Sequence, residues 1–142
     1  MPHRILVALK FTPAGKQALL KAIELAQELG AELFVFHALD YALQELNPAD
    51  PRIVKQAQGA EQKLAQFIDS LATPAPRIAF TCRPADPALG ACREAKDIGA
   101  HMIVMGAHRD RTKVSLGRVD YIGQTIMEKA PCPIMLVPHP VG

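Results

Sequence analysis

The sequence contains no tryptophan, and aromatic residues make up only 5% of it. Acidic and basic side chains nearly cancel, leaving a formal charge of +2, too small for bulk attraction to nucleic acid or an anionic membrane. Three cysteines, Cys82, Cys92 and Cys132, include no C-x-x-C pair and leave an odd count. That spacing excludes a zinc site or a disulfide framework and suits a reducing compartment. No apolar run is long enough to cross a bilayer, and the stretch after Met1 is too short for a secretory signal. The expectation is a cytoplasmic protein with neither a nucleic-acid nor a membrane partner. Also missing are the Walker A loop, G-x-G-x-x-G and the nucleophile elbow G-x-S-x-G.

What is present is ordinary globular material: 142 residues, 49% hydrophobic and 21% charged, enough for one domain with a full core. Residues 4–9 form a short apolar run without alternation, as in a strand buried on both faces. Thr12-Pro13 reads as an N-cap with proline at the first helical position. Ala18, Leu19, Ala22, Ile23, Ala26 and Leu29 then recur at helical spacing up to a stop at Gly30. Residues 32–37 predict a second strand, and 39–51, with Asn47-Pro48 and Asp50-Pro51, reads as a loop. A second helix is expected over about 52–72, ended by Thr73-Pro-Ala-Pro76, and a third strand over 77–82. Asp86-Pro87 opens a third helix that stops at Gly99. Residues 102–105 predict the fourth strand, 119–129 a fourth helix and 133–137 the last strand.

Five strands alternating with four helices define an α/β protein: one doubly wound five-stranded parallel sheet with helices on both faces. The strand order is then the flavodoxin-like 2-1-3-4-5 or its relative 3-2-1-4-5. In either order a ligand belongs beyond the carboxyl ends of the central strands, which singles out 9–12 and 106–118. Gly106 follows strand 4 directly, where glycine lets backbone amides approach a ligand and permits positive φ. After His108, the cations Arg109, Arg111, Lys113 and Arg118 face one carboxylate, Asp110, ahead of a helix N-terminus that favours anions. Arginine suits phosphate especially well. The set reads as an anion pocket, with a solvated basic loop as the plainer alternative.

Four segments resemble the universal stress protein family: Ile5-Leu-Val, Asp86-Pro87, Ile103-Val-Met-Gly-Ala-His108 and the closing Ala130-Pro-Cys-Pro-Ile-Met-Leu-Val137. The resemblance covers essentially the whole chain. It implies the 3-2-1-4-5 sheet of the adenine nucleotide alpha hydrolase-like arrangement and a homodimer formed by antiparallel pairing of the last strands, 133–137. The ATP-binding branch of that family carries G-x-x-G-x(9)-G-[ST] after strand 4 and an aspartate at the end of strand 1. Here Gly106 holds the first glycine position and Arg109 the second; for the third, Gly117-Arg118 lies two residues early and, counted back from Ala130-Pro-Cys-Pro, Asp120-Tyr121 one residue late. Lys10 stands where the aspartate would be.

The resemblance thus implies a non-catalytic stress-response protein whose strand-end pocket takes ATP or another adenine nucleotide, with a degenerate phosphate motif. Ala8, Leu9 and Ala38 would wall the base, with Met105 at the rim and His108 beside them. Lys10, Arg109 and Arg118 would face phosphate, and Gly106 and Gly117 would present backbone amides. The competing expectation is a nucleotide-free member acting through protein contacts. His37 reads either as a strand-end core residue or as part of the adenine side, and Tyr121 as helix packing or a stacking partner. A phosphoreceiver needs acidic residues where Lys10-Phe11 stand and an aspartate where Cys82-Arg83 stand. A flavodoxin-like carrier needs hydroxyl-rich loops, whereas the first turn offers only Thr12.

Overall fold

In β1 (Arg4–Ala8), Ile5, Leu6 and Val7 are each 1% exposed or less, so the strand is covered on both faces, as its unbroken apolar run requires. A computed structural model describes residues 3–71, 77–107 and 121–139 of the chain. The Thr12 side chain accepts a hydrogen bond from the Gly15 amide at 3.1 Å and starts α1 (Pro13–Leu29), which Gly30 ends in the left-handed conformation. β2 (Glu32–Leu39) follows, then a 3-10 turn at Tyr41–Leu43 and α2 (Pro51–Asp69). β3 (Ile78–Pro84) leads to α3 (Pro87–Ile98), capped by Asp86, whose carboxylate accepts from the amides of Ala88 and Leu89 at 3.0 Å. β4 (Met102–Ala107), α4 (Tyr121–Lys129) and β5 (Ile134–Pro138) complete the described chain.

The strands form one all-parallel sheet in the order β3-β2-β1-β4-β5. This is the second of the two orders expected. Strand alternation sorts the core into two layers. Ile5, Val7 and Leu9 pack with Ala18, Leu19, Ala22 and Ile23 of α1 and Leu64 of α2. Leu6, Ile103 and Met105 pack with Ala88, Ala91 and Ala95 of α3 and Ile126 of α4. Small residues on α3 let it lie close to the sheet.

Several boundaries differ from the sequence reading. The segment 39–51 is not a plain loop: β2 runs on to Leu39, Tyr41–Leu43 turn once, and Pro51 already belongs to α2. Asp50 is the N-cap, its carboxylate accepting from the Arg52 amide at 2.9 Å. Leu43 and Leu46 pack on a small cluster of Leu39, Ile53 and Ala60. β3 extends to Pro84 and β4 to Ala107, beyond the expected 82 and 105. The Thr73-to-Pro76 stop and the start of the fourth helix at 119 and 120 lie outside the described residues.

Gly59 sits inside α2, and a Cβ added there meets nothing within 4 Å. Gly59→Ala is therefore expected to raise stability by about 0.5–1 kcal/mol, read from urea unfolding midpoints.

Candidate functional site

At the carboxyl ends of β1 and β4, where the order of strand connection reverses, the sheet opens into a cavity of about 220 Å³. β1 and its turn contribute Ala8, Leu9, Lys10 and Thr12; β2 contributes Phe36, His37 and Ala38; β4 contributes Met105 and Gly106. Ala14 and Gly15 of α1, Pro87 of α3 and Ile122 of α4 close the sides. The structure thus brings together six of the ten residues expected from sequence: Ala8, Leu9, Lys10, Ala38, Met105 and Gly106. His108, Arg109, Gly117 and Arg118 lie outside the described residues, as do Arg111 and Lys113.

Two glycines shape the floor, through close approach rather than unusual backbone angles. Gly106 lies inside β4, and positive φ among the described residues occurs only at Gly30 and Gly99. Gly106 therefore does not use the positive φ that glycine permits. A Cβ at Gly106 would stand 2.6 Å from the Ala14 carbonyl oxygen, and one at Gly15 would run into the Lys10 carbonyl oxygen. Their lack of side chains seats the first turn of α1 directly on the ends of β1 and β4.

The walls are mostly apolar, and the polar groups are few. Lys10 is exposed at the mouth. The Thr12 oxygen accepts from Gly15, which leaves its O–H proton for a ligand. His37 Nδ1 lies 2.8 Å from the Leu9 carbonyl oxygen, and because a carbonyl only accepts, Nδ1 carries the proton. Burial pushes His37 below its usual 6.5, the Leu9 contact opposes this, and the Lys63 charge adds to the lowering. The ring rests on Phe11, with centroids 4.6 Å apart.

Because the unfolded chain holds the His37 proton more tightly, the native state loses stability as pH falls from 6.5 toward the depressed folded value. Urea midpoints measured on either side of 6.5 are expected to drop less on acidification for His37→Gln than for the parent protein.

Beneath the cavity, the Arg83 guanidinium carbon lies 4.9 Å from the centre of the Phe36 ring and a guanidinium nitrogen lies 3.4 Å from Glu94 Oε2. Phe36, Ala14, Gly15, Pro87 and Ile122 were not picked out by sequence reasoning. Thr12-Pro13 and Asp86-Pro87 carried the available signal, since each places a helix start beside a strand end. Phe36 and Ile122 carried none, because their place depends on how α3 and α4 pack. Cys82, Cys92 and Cys132 sit half-buried or buried, and burial raises each thiol above its usual value, which opposes thiolate chemistry. Among the described residues no group of three His, Cys, Asp or Glu could hold a metal, and no helix is long and apolar enough to cross a membrane.

These features define an open α/β protein with a crevice at its topological switch point. Residues 1–138 match the model of the universal stress protein family, and the chain belongs to that family. Universal stress protein UspA from Lactobacillus plantarum is 22% identical with a TM-score of 0.74, over 95% of this chain and 97% of that one. The universal stress protein from Archaeoglobus fulgidus in complex with dAMP is 18% identical with a TM-score of 0.64, over 96% and 97% of the two chains. A protein of the family from Burkholderia pseudomallei is 27% identical with a TM-score of 0.58, over 95% of each chain. The first two likenesses, at their low identities, speak for the fold alone. No curated protein matches the chain.

Proposed function

We propose that this protein is a non-catalytic, stress-response binder of an adenine nucleotide, held in the cavity at the ends of β1 and β4. One observation carries the reading: Ala8, Leu9, Ala38 and Met105, distant in sequence, converge on one apolar cleft with Lys10 at its mouth. Apolar walls suit a purine face, and a cation suits a phosphate at the opening. A family relative of the same fold carries dAMP. The described lining holds no carboxylate to serve as a general base or to hold magnesium, which favours binding over hydrolysis.

The reading extends to a cytoplasmic homodimer joined through β5. That strand is a sheet edge whose Ile134, Met135, Leu136 and Val137 are each half-buried, and unpaired edges call for cover. Sedimentation at high micromolar concentration is expected to give the dimer mass; monomer alone would refute this arrangement. For the ligand, mass analysis of small molecules released from freshly purified protein is expected to recover AMP or ATP near one per chain. Repeated recovery of none, with no titration signal at millimolar nucleotide, would favour a nucleotide-free protein acting through protein contacts.

A further inference from the structure

A second cavity, of about 270 Å³, opens beside the first, lined by Phe11, His37, Asp40, Gln56, Gly59 and Lys63 among others. It shares His37 and Ala38 with the strand-end cavity, and its other lining residues, from Leu39, Asp40, Phe11 and α2, belong to it alone. In β2, Val35 and Leu39 pack toward α1 and α2, whereas Phe34, Phe36 and Ala38 pack toward α3 and α4. Alternation therefore puts the His37 ring on the α2 face.

Several groups there keep polar capacity that the fold does not use. Gly59 weakens α2, yet a Cβ on it would touch nothing within 4 Å; its visible effect is to leave the cavity open. Gln56, Gly59 and Lys63 stand at i, i+3 and i+7, on one stripe of the helix. Lys63 makes no ion pair among the described residues, its ammonium lying 5.8 Å from the Phe11 ring centre. Gln56 Oε1 accepts from the Asp40 amide at 3.1 Å, which leaves its amide protons as donors. Asp40 Oδ1 accepts from the Ala42 amide, which leaves Oδ2. His37 Nδ1 donates to Leu9, so Nε2 is a lone-pair acceptor without a partner among the described residues.

One side of the cavity thus offers a cation and amide donors, and the other an anion and a neutral acceptor, around an aromatic wall. We propose that this cavity binds a small apolar amino acid, its carboxylate on Lys63 and Gln56, its ammonium on Asp40 and His37, and its side chain against Phe11. The site adjoins the strand-end cavity through His37 and Ala38, but Lys63, Gln56 and Asp40 line it alone, so it stands whether or not that cavity takes a nucleotide.

The test is an amide chemical-shift titration of isotope-labelled full-length protein at neutral pH with L-leucine. Isocaproate, which lacks the ammonium, and isoamylamine, which lacks the carboxylate, serve as comparison probes. Leucine is expected to give saturable shifts at Gln56, Gly59 and Lys63, with each analogue and the exposed variant Lys63→Ala binding about tenfold more weakly. Gly59→Leu, which fills the opening, is expected to abolish binding. Absence of saturation at those amides, equal binding of either analogue, or undiminished binding by Lys63→Ala would each overturn the proposal.

Discussion

Gly15→Ala is expected to lower the stability of the protein by about 3 kcal/mol and to abolish nucleotide retention. In an open helix position the same change stabilises by about 1 kcal/mol, which is the result expected at Gly59. At Gly15 the added methyl runs into the Lys10 carbonyl oxygen, which belongs to the turn that joins β1 to α1 and lines the cavity. Backbone has to move, since neither atom lies at the end of a flexible side chain. The turn is held by the Thr12 amide on the Lys10 carbonyl at 2.9 Å and by the Thr12 cap on Gly15, so both contacts shift together. Urea unfolding of the two alanine variants side by side is expected to give midpoints on opposite sides of the parent. A stabilised Gly15→Ala protein would contradict the close seating of α1.

Phe36→Ala is expected to cost about 3–5 kcal/mol. The ring is 1% exposed and is among the largest fully buried side chains. It fills the space left by Gly90, where a Cβ would stand 2.9 Å from the ring edge, and the Arg83 guanidinium covers one face. These neighbours are a glycine and an ion-paired side chain, neither of which can collapse into the hole. Because Phe36 also lines the strand-end cavity, the variant enlarges the ligand site and weakens base contacts, so nucleotide affinity falls along with stability. Phe36→Leu, which keeps much of the volume, is expected to lose about 1 kcal/mol. A loss below that for Phe36→Ala, measured by urea unfolding, would show that the site repacks.

Local chemistry made much of the fold legible. Thr12-Pro13 and Asp86-Pro87 announce helix starts because a capping oxygen and a missing amide proton both act within one turn. Asp50-Pro51 carries the same signature, yet together with Asn47-Pro48 it reads as part of a loop. β3 was cut short at Cys82 because Pro84 signals a break. On an edge strand, paired only with β2, proline leaves no ladder bond unmade. The site was legible to the extent that it follows from topology: residues at the ends of β1, β2 and β4 converge wherever such a sheet changes direction. Gly106 was singled out, but its packing reason, the long-range approach of Ala14, is one that no local pattern reports. Phe36 and Ile122 escaped notice for the same reason, as their contact with the cavity exists only once α3 and α4 have packed.

The account turns on whether an adenine nucleotide occupies the cleft walled by Ala8, Leu9, Ala38 and Met105. Equilibrium dialysis of the parent protein and Ala38→Phe against labelled AMP addresses this directly. The prediction is about one AMP per chain for the parent and none for Ala38→Phe, whose ring takes the place of the base while circular dichroism shows the fold retained. Equal binding by both proteins, or no binding by the parent at millimolar AMP, would contradict it.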